Sequence, residues 1–84
     1  MKDWLVYMIR CSDDSLYTGI TNDLEKRFRQ HTEGKGAKYF RGRQPLEVVL
    51  VEPGHDRSSA SKREAQIKKL TPEQKRSLAE SART

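Results

Sequence analysis

Cysteine is nearly missing from this chain: Cys11 is the only one in 84 residues. A single thiol excludes an intramolecular disulfide framework and any zinc site built on several cysteines. It agrees with a reducing compartment, so the cytoplasm is the default expectation. Long hydrophobic runs are missing too. The longest, Trp4 to Ile9, spans six residues, far short of the roughly 20 that a bilayer-spanning helix needs. It also lacks the basic segment and small-residue cleavage site of a secretory signal, and no membrane partner is expected. No repeat, low-complexity stretch or linker interrupts the sequence. One domain over residues 1–84 is expected. Aromatics are few, with three Tyr, two Phe and one Trp to carry much of the packing.

Acidic residues are outnumbered, 12 against 17 basic ones, for a formal charge of +5. The excess is local. Residues 26–43 contain Lys26, Arg27, Arg29, Lys35, Lys38, Arg41 and Arg43, with Glu33 as the only acid. That window carries +6 and the remainder −1. A concentrated basic patch favours a polyanionic partner, nucleic acid above all.

The local patterns give an element order. Trp4 to Ile9 is apolar on both alternating faces, which suits a strand buried on both sides. Ser12-Asp13-Asp14-Ser15 is turn chemistry, and Leu16 to Ile20 follows as a second strand. Together they form an antiparallel hairpin. Asn22 and Glu25 are spaced as a capping box, opening a helix that runs to about Glu33, with Gly34 as its stop. Leu24, Phe28 and His31 fall on one face of that helix. Residues 34–45 form an ordered basic loop. Leu46 to Val51 is a third strand, placed on an edge next to one hairpin strand and ended by Pro53-Gly54. A second helix is expected over 58–70, and a third begins with Thr71 as N-cap, Pro72 and Gln74. The third has only Leu78, Ala79 and Ala82 to bury. The order β-β-α-β-α-α makes an α+β domain, a small three-stranded antiparallel sheet flanked by helices.

Three features could carry chemistry. Glu64 lies with Ala60 and Ile67 on the core-facing stripe of the second helix, where a carboxylate must be paired, protonated or bound to a metal. Two ordinary explanations compete: a cap in Ser61-x-x-Glu64, or an ion pair with Lys68. Arg27 and His31, four residues apart, put a guanidinium beside an imidazole, a combination suited to a phosphodiester. The competing view has His31 completing the core stripe and Arg27 solvated at its rim. Tyr7 and Tyr17 sit on the two hairpin strands. A four-residue turn would pair Tyr7 with about residue 20, and the tyrosines would share a face only through a slip or bulge.

Leu5-Val6-Tyr7, followed ten residues on by Tyr17-Thr18-Gly19, resembles the paired signature of the GIY-YIG nuclease superfamily. Arg27, His31 and Glu64 stand where that superfamily keeps its Arg, its His and its metal-binding Glu. The stretch Gly34-Lys35-Gly36-Ala37-Lys38-Tyr39, with Arg41 and Arg43 beyond, is similar to its small stand-alone bacterial branch. The sequence departs from the pattern with Leu5-Val6 for Gly-Ile, Thr18 for Ile and Phe40 for Thr, and no clear match exists to an Asn that some members carry near the C-terminus.

The resemblance implies a metal-dependent endonuclease that hydrolyses DNA phosphodiester bonds, in repair or recombination. It implies Tyr7, Tyr17, Arg27, His31 and Glu64 as catalytic residues. Glu64 would hold one Mg²⁺ or Mn²⁺ with waters and substrate phosphate. Either tyrosine would orient or deprotonate the attacking water, and Gly19 would allow close approach at its strand. Lys35, Lys38, Arg41 and Arg43 would grip the nucleic acid. Two other expectations stay open: a non-catalytic nucleic-acid-binding module on the same fold, and an adaptor whose basic loop meets an acidic protein.

Overall fold

A computed structural model of the chain describes residues 3–35 and 38–82. The elements are β1 (Trp4–Cys11), β2 (Leu16–Thr21), α1 (Leu24–Thr32), a single 3-10 turn (Lys38–Phe40), β3 (Pro45–His55), α2 (Arg57–Lys68) and α3 (Pro72–Ala82). The three strands form one sheet in the order β2-β1-β3, with both pairings antiparallel. The expected α+β order and the three-stranded sheet are therefore present. Gly36 and Ala37 of the basic loop lie outside the described residues.

Central position explains β1. Val6, Tyr7, Met8 and Ile9 are all fully buried, because helices cover both faces of the sheet and successive side chains alternate between them. Val6 and Met8 join Leu50, Ala60, Ile67 and Ala79 under α2 and α3. Tyr7, Ile9 and Cys11 pack with Phe40 on the other face, together with Leu24 and Phe28 of α1.

The hairpin turn is shorter than its sequence suggests, and this changes the register. The Asp14 N–H donates to the Cys11 carbonyl and the Cys11 N–H to the Ser15 carbonyl, each at 2.9 Å. Asp14 takes a positive φ of 65°, the left-handed conformation that Asp tolerates. The loop is thus Ser12 to Asp14, a three-residue turn closed by a left-handed residue. Tyr7 pairs with Gly19, not with residue 20, and Ile9 with Tyr17. Both tyrosines consequently lie on the same face of the sheet. A one-residue difference in turn length decides this, since side chains alternate with period two.

Three boundaries also move. The N-cap of α1 is Asp23, whose side chain accepts from the Lys26 N–H at 3.1 Å. Asn22 is not the cap because β2 continues to Thr21, whose hydroxyl holds the Asp23 N–H at 3.1 Å. Helix α1 ends as expected at Gly34, where the Gly34 and Lys35 N–H groups donate to the carbonyls of His31 and Gln30. Strand β3 passes through Pro53-Gly54 to His55, because a bulge absorbs them between the pairs Val6–Glu52 and Trp4–His55. Proline is tolerated there because β3 is an edge strand. Helix α2 starts at Arg57 behind a capping box made by Asp56 and Ser59. The Thr71–Gln74 box of α3 forms as expected.

A candidate active site on the α1 face of the sheet

The register brings Tyr7 and Tyr17 together, their ring centroids 6.1 Å apart. Helix α1 supplies the rest. His31, on its buried stripe, is 1% exposed, and its Nε2 lies 2.8 Å from the Tyr7 hydroxyl. Its ring packs 4.4 Å from Phe40 and 5.2 Å from Tyr17, centroid to centroid. Arg27 lies one turn earlier, so its half-buried guanidinium stands beside Tyr7 and donates to Gln30 Oε1 at 3.1 Å. Gly19 makes the arrangement possible. A Cβ there would lie 2.6 Å from the Tyr7 hydroxyl and 2.8 Å from Cζ. The Tyr7 ring therefore crosses directly over the glycine, carrying its hydroxyl toward β2, an edge of the sheet.

Electrostatics set the protonation states. Burial, with a smaller contribution from the Arg27 charge, pushes the His31 imidazole down to about 4. His31 is thus neutral at pH 7. Its Nδ1 is buried without a hydrogen-bond partner among the described residues. A buried N–H left alone is worse than a bare lone pair, which puts the proton on Nε2, donating to the Tyr7 oxygen. Burial raises the Tyr7 phenol well above its ordinary range, and the neighbouring Tyr17 adds to this. The Arg27 guanidinium acts in the opposite direction. Unaided, Tyr7 is a neutral phenol that receives donors from His31 and Arg27. Any added cation shifts it toward the phenolate.

Glu64 does not belong to this cluster. It is on α2, whose Ala60 and Ile67 join Val6 and Met8 across the sheet from the tyrosines. Its half-buried carboxylate meets Lys68 Nζ at 3.5 Å, so the expected i,i+4 ion pair exists. The alternative of a cap from Ser61 is excluded, because the helix starts at Arg57 and Asp56 caps it. Among the described residues no three His, Cys, Asp or Glu side chains gather as a ready metal cluster.

The basic loop folds back on the hairpin. The Ser12 N–H donates to the Gln44 carbonyl at 2.9 Å, and the Gln44 N–H to Ser12 Oγ at 3.0 Å. Arg43 is engaged there, 3.1 Å from Asp13 and stacked 4.1 Å over the Tyr39 ring. Lys38 and Arg41 are exposed, and Lys35 lies 3.7 Å from Glu33. Residue patterns alone did not single out Gln30, Tyr39 or Phe40 as site residues. The available signals were the i+3 spacing of Gln30 from Arg27 and an aromatic pair inside a basic loop.

Comparison with known proteins shows the family. A family model described as the GIY-YIG catalytic domain matches residues 3–77. A UPF0213 protein of Cronobacter sakazakii is 50% identical over 78 residues, covering 93% of this chain and 82% of the relative. A UPF0213 protein of Haloquadratum walsbyi is 53% identical over 81 residues, 95% and 91% of the two chains. The solution NMR structure of UPF0213 protein BH0048 from Bacillus halodurans superposes with a TM-score of 0.58 at 38% identity, over 92% of this chain and 82% of that one. With paired tyrosines over Gly19, an Arg and His on the first helix, and a match along nearly its whole length, the chain belongs to the GIY-YIG domain family.

Proposed function

We propose that this domain is a metal-dependent endonuclease that hydrolyses DNA phosphodiester bonds in the cytoplasm, in repair or recombination. The carrying observation is the packed cluster of Tyr7, His31, Arg27 and Tyr17 in a GIY-YIG domain, beside a basic loop. Arg27 binds the scissile phosphate and spreads the charge that develops on its oxygens. Tyr7, buried and held by His31, is one of the two tyrosines, either of which would orient or deprotonate the attacking water. Tyr17 lines the same surface. Exposed Lys35, Lys38 and Arg41 hold flanking phosphates, and Arg43 supports them from its place on Tyr39.

The donor chemistry fits one Mg²⁺ or Mn²⁺. A hard divalent ion takes one or two carboxylates and completes its shell with water and phosphate oxygens, so Glu64 suffices on the protein side. Such an ion supplies Lewis-acid polarisation of the phosphate and a positive charge that lowers neighbouring pKa values. Helix α2 and the tyrosines lie on opposite faces of the sheet, and β2 is an edge strand. Cleavage by this set requires the phosphate to sit at that edge, between Glu64 and the tyrosines.

The test is incubation with branched, nicked and flapped DNA in Mg²⁺ or Mn²⁺. Cleavage that disappears in Glu64→Ala and Arg27→Ala is the expected result; equal cleavage by Glu64→Ala overturns the reading. One observation favours a second reading, a binding module that does not cut. The Glu64 carboxylate is already paired with Lys68 at 3.5 Å. That module would bind with log K falling against log salt at a slope of about −4 for roughly five phosphate contacts.

A further inference from the structure

Beyond Tyr17 the aromatic surface continues. The Tyr39 ring lies 5.2 Å from Tyr17, and past it opens a cleft of about 320 Å³ between the hairpin turn and the start of α3. Tyr39, Leu16 and Pro72 give it apolar walls, and Lys75 and Arg76 bring cationic groups from α3. Asp13 and Asp14 of the turn complete the lining. Two ion pairs frame it, Arg43 with Asp13 at 3.1 Å and Arg76 with Asp14 at 3.3 Å. These bonds tie the basic loop and α3 to the same turn. The hydrogen bond from Ser15 keeps the Asp13 carboxyl below its usual range, so it stays ionised.

The lining chemistry selects its ligand. A simple anion is disfavoured, since two carboxylates share the wall with the cations. A purely apolar ligand would cover two ion pairs and leave Lys75 unanswered. A nucleotide suits the lining better. Its flat base stacks on an aromatic wall, its N–H edges donate to carboxylates, and its phosphate meets Lys75 or Arg76. The geometry points to a subsite for one unstacked nucleotide, close along the strand to a phosphate held at Tyr7 and Arg27. A base paired inside a duplex cannot enter such a cleft, so the subsite selects strands with an unpaired nucleotide beside the reacting phosphate. The inference rests on the nuclease reading for the position of that phosphate, but the nucleotide subsite itself does not require cutting.

The experiment measures binding in EDTA, where no strand is hydrolysed. The probes are a short blunt duplex and the same duplex carrying one unpaired 2-aminopurine as a flap. The flapped duplex is expected to bind about tenfold more tightly, as one base–aromatic stack allows. Its fluorescence should be quenched on binding, and in Tyr39→Leu the affinity ratio should fall to near one. Should Tyr39→Leu misfold, Lys75→Glu on the cleft rim carries the same expectation. Equal affinities in the parent protein, absence of binding to either probe, or a preference that persists in the folded variant overturns the inference. Preference without cleavage in Mn²⁺ keeps the subsite and removes the nuclease reading. Cleavage of both duplexes without preference does the reverse.

Discussion

Gly19→Ala tests the geometry of the site most directly. The added Cβ would sit 2.6 Å from the Tyr7 hydroxyl, 2.8 Å from its Cζ and 3.0 Å from Tyr17 Cε2. Such distances require something to move. Tyr7 is fully buried and cannot swing into solvent. Over-packing of this kind costs about 1–3 kcal/mol. Displacing the ring also breaks the 2.8 Å Tyr7–His31 bond and leaves the buried His31 Nε2 unpaired, a further loss of about 1–3 kcal/mol. Removing a strand glycine returns about 0.5–1 kcal/mol through the unfolded chain. The net expectation is a loss of about 1–5 kcal/mol, centred near 3, in a domain whose total stability at this length is of order 4–12 kcal/mol. In urea, with m near 1 kcal/mol/M, the midpoint should fall by about 1 M or more.

A mutant cycle isolates the cause. Phe at position 7 removes the nearest atom but keeps the ring, so Gly19→Ala should cost less in a Tyr7→Phe background. Leu does not reach across Gly19, so in Tyr7→Leu the same change should be neutral or slightly stabilising. The coupling between positions 7 and 19 should then be about 2–3 kcal/mol, at the upper end for residues in contact. A Gly19→Ala that is neutral in the parent, or that costs the same in all three backgrounds, would falsify the ring-over-glycine packing.

Other expectations follow from the same geometry. His31 titrates near 4 in the fold, against 6.5 when free. The unfolded chain therefore binds the extra proton first as pH falls, and this group's contribution is present above pH 6.5 and lost down to pH 4, by at most about 3 kcal/mol. His31→Gln should show a shallower decline in stability over that window, and denaturant midpoints at several pH values measure it. Arg27→Lys keeps the charge but not the planar fork, so cleavage should fall about 10²-fold or more, measured as single-turnover rate. Glu64→Gln should abolish metal-dependent cleavage yet change stability by less than about 0.5 kcal/mol, because the exposed end of its Lys68 pair is screened. Asp23→Ala should cost about 1 kcal/mol and Asn22→Ala almost nothing, since only Asp23 caps α1.

How far the residues alone reveal this fold depends on which interaction specifies each element. Strand β1 is legible because burial on both sides leaves a continuous apolar run. The α3 cap is legible because Thr71, Pro72 and Gln74 act within one turn of chain. Asn22 and Asp23 are harder to separate. Both are good caps, and the choice falls to Thr21, whose hydroxyl fixes the Asp23 N–H only once β2 is paired that far. Pro53-Gly54 suggests a strand end, but pairing with β1 continues beyond it through a bulge. In each case a tertiary partner overrides a local signal.

The tyrosine pair depends most on a detail that local composition hides. Ser12-Asp13-Asp14-Ser15 marks a turn without fixing whether three or four residues form it. Asp14 in the left-handed region makes it three, and the shift by one moves Tyr17 to the face that holds Tyr7. Gly19 then falls opposite Tyr7, where its missing side chain is filled by the ring. The glycine, the tyrosines and the turn are therefore a single specification. A register shifted by one residue, with Ser15 drawn into a four-residue turn, would pair Tyr7 with Ile20 and turn Tyr17 away from His31 while leaving the composition of both strands unchanged. Any turn variant that slips the register in this way should lose cleavage dependent on the cluster, while the hairpin itself is retained.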